Sequence, residues 1–373
     1  MKVLILSCNT GEGHNSTCTA IQEWLDAHGI ESMRADALGF LSGRTSEIIS
    51  KGHVFIYRRA PKLFGIGYKF EENHTPRFIY DESARGAKAL LQFLEDNAID
   101  TVICVHVFPA LTMTVIRKRH PGRFRCYFVA TDYTCSPGVS EAEMDAYFIP
   151  HESLRAEFAA CGVPEDKLVV TGIPVRESFC TRMPRAEARR RLKLPENARV
   201  LLFSCGSMGC GPMKKLALLL QSRLPEDGYL VIVCGSNRKL YHSLTALRGP
   251  CIRVVGFTKR MSMYMDAADV YLSKAGGLST TEAIAKRLPL IYVDAIPGCE
   301  LHNRDFMTHC GIAATAKGLP ELAALACARL DDPAAQAECV RAMEAEFPVC
   351  GAAALGQFVV SDYKEHMHEE THG

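Results

Sequence analysis

The sequence predicts an α/β protein of two Rossmann-like domains that face one another across a cleft, and three observations carry that expectation. Short continuous apolar runs alternate with helical patterns along the chain. The alternation occurs twice, on either side of a Gly/Pro-punctuated break. The 373 residues also exceed the roughly 250 to 300 at which a single core stops growing. Continuous apolar strands separated by helices are those of parallel sheets covered on both faces.

In the first half the strand runs are "KVLILSC", "TVICVH", "RCYFVAT" and "AYFIP". In the second they are "RVLLFSC", "YLVIVCG", "IRVVGF", "DVYLSK" and "PLIYVD". Between them, in "LVVTGIPVRESFCTRMPRAEARRRL", strand-like "KLVV" gives way to Gly172, Pro174 and Pro184 before a basic helix. The expected organisation is a first domain over 1–171, a linker over 172–185, a second domain over 186–345 and a closing helix and tail over 346–373.

With 43 basic and 42 acidic residues the formal net charge is +1, so no global field draws nucleic acid and an anionic partner must be held by local groups. The sixteen cysteines fall inside apolar runs, where Cys packs as a small hydrophobe. No C-x-x-C occurs, which predicts a reducing compartment and no structural zinc. The opening "MKVLIL" turns polar at once, unlike a signal peptide, and no apolar stretch approaches the about 18 residues of a membrane span. The expected location is cytoplasmic.

Ligands of doubly wound sheets bind outside the carboxyl ends of the strands, so the residues after each strand are the candidates. "LLFSCGSMGCGPMKKLALLL" is a strand, a turn with Gly206, Gly209 and Gly211, and an amphipathic helix. The turn suits an anion through its N–H groups and helix dipole, or is a tight βα turn with glycines for geometry alone. "ADVYLSK" runs into "AGGLSTTEAIAKR", where Gly276 and Gly277 let backbone approach a ligand and Ser279, Thr280 and Thr281 can cap a helix or donate to phosphate. Glu282, expected in the first helical turn, either offsets the dipole or accepts both hydroxyls of a ribose. After "LPLIYVDAIPG", the run "CELHNRDFMTHCG" offers Glu300, His302, Asn303 and Asp305, as a solvated helix start or a pocket for sugar hydroxyls.

The order "CGSMG", "VVGF", "SKAGGLSTTEA", "PGCELHN" resembles the glycosyltransferases of the GT-B fold. These include the peptidoglycan N-acetylglucosaminyltransferase and, more similar, the monogalactosyldiacylglycerol synthases and processive diacylglycerol glucosyltransferases. "NTGEGHNSTCTAI", "VATDYT" and "VVTGIPVRESF" extend the resemblance through the first half, so that it spans roughly residues 3 to 345. The resemblance implies a UDP-sugar donor, UDP-glucose or UDP-galactose, held mainly by the second domain. Gly206, Ser207, Met208 and Gly209 would lie against the diphosphate and Phe257 near the uracil. Gly276, Gly277, Leu278, Ser279 and Thr280 would lie at the phosphates, Glu282 at the ribose, and Glu300 with Asn303 at the sugar hydroxyls.

The stretch "NTGEGHNST" carries Gly11 and Gly13 of a G-x-G-x-x-G pattern, but Ser16 replaces the third glycine; in the resembling enzymes this turn faces the acceptor. His14 is then either the general base that an attacking alcohol needs or a cap on the helix that follows. Asp132 of "VATDYT" either orients His14, replaces it as base, or satisfies a strand-end loop. No D-x-D triplet occurs in the chain, so leaving-group charge is expected to be met by N–H groups, helix termini and cationic side chains, with no metal and no cofactor.

Residues 51–80 interleave seven aromatics with six Lys or Arg and two His. The region is a buried hairpin with solvated charges or, with a lipid acceptor implied, a peripheral face for the anionic inner leaflet, with Arg58, Arg59, Lys62, Phe64 and Tyr68 at the bilayer. The expectation is inverting, metal-independent transfer of a hexose to diacylglycerol, with products able to accept further sugars. Two alternatives share the architecture: an isomerase like the UDP-N-acetylglucosamine epimerase, which needs no acceptor, and a non-catalytic UDP-sugar sensor, which has no need of His14.

Overall fold

The computed structural model describes residues 1–8, 12–41, 77–246, 249–295, 297–347 and 350–372. The chain divides into two units: Met1–Glu177 with Pro297–Cys299 and Cys350–Gly373, and Ser178–Ile296 with Glu300–Val349.

The first unit is built on β1 (Val3–Ser7), β2 (Ser32–Asp36), β3 (Thr101–Cys104), β4 (Arg125–Val129), β5 (Ala146–Ile149) and β6 (Leu168–Val170). These pair in the order β2-β1-β3-β4-β5-β6, every neighbour parallel. Val3, Ile5, Ile103, Tyr127, Val129 and Phe148 form one core face with Cys18, Ile21 and Leu25 of the helix Glu12–Ala27. The helix Gly351–His372 adds Leu355 and Val359 to that core. Polar bonds lock it in place: Tyr127 Oη donates to Asp362 at 2.6 Å and Arg125 Nε at 3.0 Å, while Tyr363 Oη donates to Asp100 at 3.0 Å.

The second unit holds β7 (Arg199–Ser204), β8 (Gly228–Val233), β9 (Ile252–Val255), β10 (Val270–Lys274), β11 (Leu290–Asp294) and β12 (Ala313–Thr315), in the order β12-β11-β10-β7-β8-β9 and again all parallel. Its core packs Leu201, Phe203, Leu230, Ile232, Val270, Leu272 and Ile291 under the helices Met213–Gln221 and Leu319–Leu330. Two doubly wound Rossmann-like sheets are therefore present.

Two strands escaped the sequence pattern, β2 ("SMRAD") and β12 ("AAT"). Both are edge strands with little fully buried surface, so neither needs the continuous apolar run of a central strand. The sixteen cysteines are free thiols. Burial pushes Cys18 and Cys126 up to about 12, which leaves them packed rather than reactive. Among the described residues no helix is long and apolar enough to cross a membrane.

Candidate functional site

In the second unit the chain winds outward from β7 to β9 and then from β10 to β12, so the strand order reverses between β7 and β10. At such a switch point the two connections leave on opposite faces and open a crevice at the carboxyl edge. The turn Cys205–Pro212 follows β7, and Ala275–Gly276 follows β10. The two glycine-rich stretches are thus neighbours in space.

Gly209, at φ +55°, packs so closely on the next turn that an added Cβ would lie 2.3 Å from the Cys234 carbonyl oxygen. Asn237 Nδ2 donates to the Gly209 carbonyl at 3.0 Å, and Ser236 N to that of Ser207 at 2.7 Å. Gly209 therefore has a packing reason to be glycine, and the turn it shapes is rigidly supported. Ser207 and Met208 stay half-buried at its tip.

The helix Gly277–Ala285 begins with Gly276 as N-cap and no side-chain cap bond. Its first N–H groups, those of Gly277, Leu278 and Ser279, have no partner within the helix and carry the positive end of its dipole. Ser279 Oγ donates to the Gly276 carbonyl at 3.2 Å. Thr280 turns inward, where its hydroxyl shares a bond with Tyr292 Oη at 2.9 Å, and Thr281 bonds back to Gly277 at 2.9 Å. Of the three hydroxyls, Ser279 alone stays beside the turn. Glu282 lies in the second turn of this helix rather than the first, since the helix starts at Gly277; the reading of a first-turn acid offsetting the dipole is corrected accordingly. Its side chain is half-buried.

Glu300 occupies the first turn of the helix Cys299–His309 and forms an ion pair with Lys274, the last residue of β10. Asn303 is fully buried and donates from Nδ2 to the Ala275 carbonyl at 2.9 Å. Phe257 follows β9, two strands from β7, and is 66% exposed. At about 4.8 Å between strands, it stands about 10 Å from the turn after β7, with its ring exposed.

In the first unit the order reverses between β1 and β3. His14 stands within the first turn of the helix Glu12–Ala27, not ahead of it, so its reading as a helix cap is corrected. Nδ1 instead bonds the Val105 carbonyl, just past β3, at 3.0 Å, with Thr131 Oγ1 3.3 Å from the same nitrogen. A carbonyl only accepts, so Nδ1 carries the proton and, in the neutral ring, Nε2 carries the lone pair. His106 packs edge-on to His14, ring centroids 4.9 Å apart. Its Nδ1 accepts from Phe108 N at 3.1 Å as the cap of the helix Val107–Arg119. Asp132 follows Thr131, half-buried, three residues past β4. Gly13 lies in the first helical turn. Gly11, Arg58, Arg59, Lys62, Phe64 and Tyr68 lie outside the described residues.

Residues 14–175 match the family model described as monogalactosyldiacylglycerol (MGDG) synthase, and residues 200–296 that of the glycosyltransferase family 28 C-terminal domain. It is a glycosyltransferase of the GT-B fold. The glycosyltransferase is 26% identical over 324 residues to the processive diacylglycerol beta-glucosyltransferase of Bacillus subtilis, with 84% of this chain and 82% of that one covered. It is 25% identical over 315 residues to the enzyme of the same name from Staphylococcus saprophyticus, with 81% and 78% covered. Among solved structures, MurG of Acinetobacter baumannii shares the fold with a TM-score of 0.66 at 12% identity, covering 98% of this chain and 99% of that one. The Anabaena protein HepE, solved with UDP and glucose, does so with a TM-score of 0.58 at 13% identity, covering 98% and 100%.

Sequence reasoning did not single out Lys274, Val105 or His106, and it took in Thr131 only as part of "VATDYT". Lys274 carried a readable signal, a lysine closing an otherwise apolar strand immediately before a glycine turn. Val105 contributes only its carbonyl, which no side-chain motif records.

Proposed function

We propose that this glycosyltransferase moves a hexose, glucose or galactose, from a UDP-sugar to the free hydroxyl of diacylglycerol, with inversion and without a metal, to give a β-glycosyl diacylglycerol that can accept further sugars. The single observation that carries the reading is the bond from His14 Nδ1 to the Val105 carbonyl, because it leaves Nε2 as the basic nitrogen that an alcohol nucleophile requires. The relatives, named processive diacylglycerol beta-glucosyltransferases, support diacylglycerol as the acceptor and favour glucose.

In this mechanism His14 Nε2 takes the proton of the glycerol hydroxyl while its oxygen attacks the anomeric carbon. The bond from that carbon to the β-phosphate oxygen breaks, and UDP leaves with the electron pair. One displacement converts an α-linked donor into a β-linked product. The charge on UDP meets the N–H groups of Gly277, Leu278 and Ser279 and the turn from Gly206 to Gly209, Glu282 accepts from the ribose, and Phe257 stacks on the uracil. Glu300 and Asn303 border the sugar, and Asp132 remains the alternative base. The basic, aromatic stretch 51–80 would seat the protein on an anionic bilayer, where the acceptor resides.

The test is incubation with labelled UDP-glucose or UDP-galactose and diacylglycerol micelles, with and without excess chelator, read by chromatography of the lipid phase. Label in a glycosyl diacylglycerol, undiminished by chelator, is expected. Interconversion of the nucleotide sugar without acceptor would make the protein an isomerase, and binding without any turnover would make it a sensor.

A further inference from the structure

Lys274 ends β10 exactly where the strand order reverses, and its side chain reaches across to the turn of the neighbouring strand. A Cβ added to Gly206 would meet Lys274 Cε at 2.9 Å, and one added to Gly276 would stand 3.4 Å from Nζ. The ammonium is thus bracketed by the two turns at the switch point, one after β7 and one after β10. Gly206 holds φ +70° and leaves room for the lysine stem as well as for the turn. The ammonium is paired with Glu300, whose side chain is 6% exposed against 20% for Lys274.

We infer that Lys274 is the cation that receives the diphosphate of the donor, and that it does so by exchanging Glu300 for phosphate oxygens. This rests on the reading of the second unit as the UDP-sugar site and deepens it. A helix N-terminus supplies about half a positive charge, whereas UDP carries a charge of about two to three once its bond to the sugar breaks. A full cation between the two turns meets that growth of charge where N–H groups alone do not. The exchange also links two recognition events. While Lys274 holds the carboxylate, Glu300 is neutralised by a neighbour; once the ammonium moves onto phosphate, Glu300 can accept hydroxyls of the sugar. A seated diphosphate therefore precedes a readable sugar.

Calorimetry of the full chain with UDP and with uridine tests this, because only UDP has the diphosphate. Lys274→Met should weaken UDP binding about tenfold to a hundredfold, the range for a lost hydrogen bond to a charged group, and leave uridine affinity as in the parent. Lys274→Arg, which keeps the charge, should retain most of the UDP affinity. Glu300→Gln should bind UDP at least as tightly as the parent, since the ammonium no longer has a carboxylate to leave, while its turnover of the UDP-sugar falls.

Unchanged UDP affinity in Lys274→Met overturns the inference. So does an equal loss of UDP and uridine in Lys274→Met and Lys274→Arg alike, which would make the lysine a structural residue. Glu300→Gln weakening UDP as much as Lys274→Met would overturn the exchange, because Glu300 would then be aiming the lysine rather than competing for it. A parent that binds neither UDP nor uridine would overturn the nucleotide-sugar reading itself and this inference with it; a parent that binds UDP separates the two.

Discussion

The carbonyl of Val105 accepts a hydrogen bond of 3.0 Å from His14 Nδ1, across 91 residues of sequence and the switch point of the first sheet. The bond sets the tautomer and aims Nε2. If Nε2 takes the acceptor proton, the neutral ring is required, and the rate should fall as pH drops below the His14 pKa. His14→Ala should lower kcat about a hundredfold to ten-thousandfold and leave UDP affinity, which the proposed function assigns to the other unit, near the parent's. A variant that kept most of its turnover would move the base assignment to Asp132.

Glu282 is half-buried in the second turn of the helix Gly277–Ala285, and the proposed function makes it the acceptor for the ribose hydroxyls. Glu282→Ala should weaken UDP about tenfold to a hundredfold, and 2′-deoxy-UDP should lose less than UDP does. Equal affinities for parent and variant by calorimetry would remove Glu282 from the site.

Lys286, at the other end of the same helix, is 1% exposed and pairs with Asp266, 5% exposed, at 2.8 Å; it also bonds the Thr181 carbonyl. Burial raises the Asp266 carboxyl above the ordinary aspartate range, against the lowering effect of Lys286. With a folded-state value above the unfolded one, the folded chain binds more protons between the two values, so this carboxyl's contribution to stability falls as pH rises through that window. Lys286→Met removes the lowering influence and widens the window. It should cost about 3 to 5 kcal/mol at neutral pH and less under mildly acidic conditions, where Asp266 takes a proton. Urea unfolding at both pH values checks this, and a loss independent of pH would contradict it.

For the membrane face, charge reversal of Arg58, Arg59 and Lys62 should release the protein from anionic vesicles in a sedimentation assay. High salt should reproduce the release, because exposed charges are screened over about 10 Å at 0.1 M ionic strength. Equal sedimentation of parent and variant would return residues 51–80 to the buried-hairpin reading.

By itself the sequence determined the fold class and the central strands. The central strands were legible because a strand buried on both faces must be apolar at successive positions, as in "RVLLFS" and "LVIV". The glycine turns and the order of motifs were legible because each sits within a few residues of its strand. β2, with Arg34 and Asp36, and the three-residue β12 were not, since their half-exposed positions need no continuous apolar run. Tertiary structure alone decided which turns became neighbours. Strand order placed the turn after β7 beside that after β10, brought Lys274 to Glu300, and set the Val105 carbonyl against His14. It also returned the helix Gly351–His372 to the first unit, where Asp362 meets Arg125 and Tyr127. Local periodicity records how deeply a residue is buried, but the partner of a polar group depends on how distant segments pack.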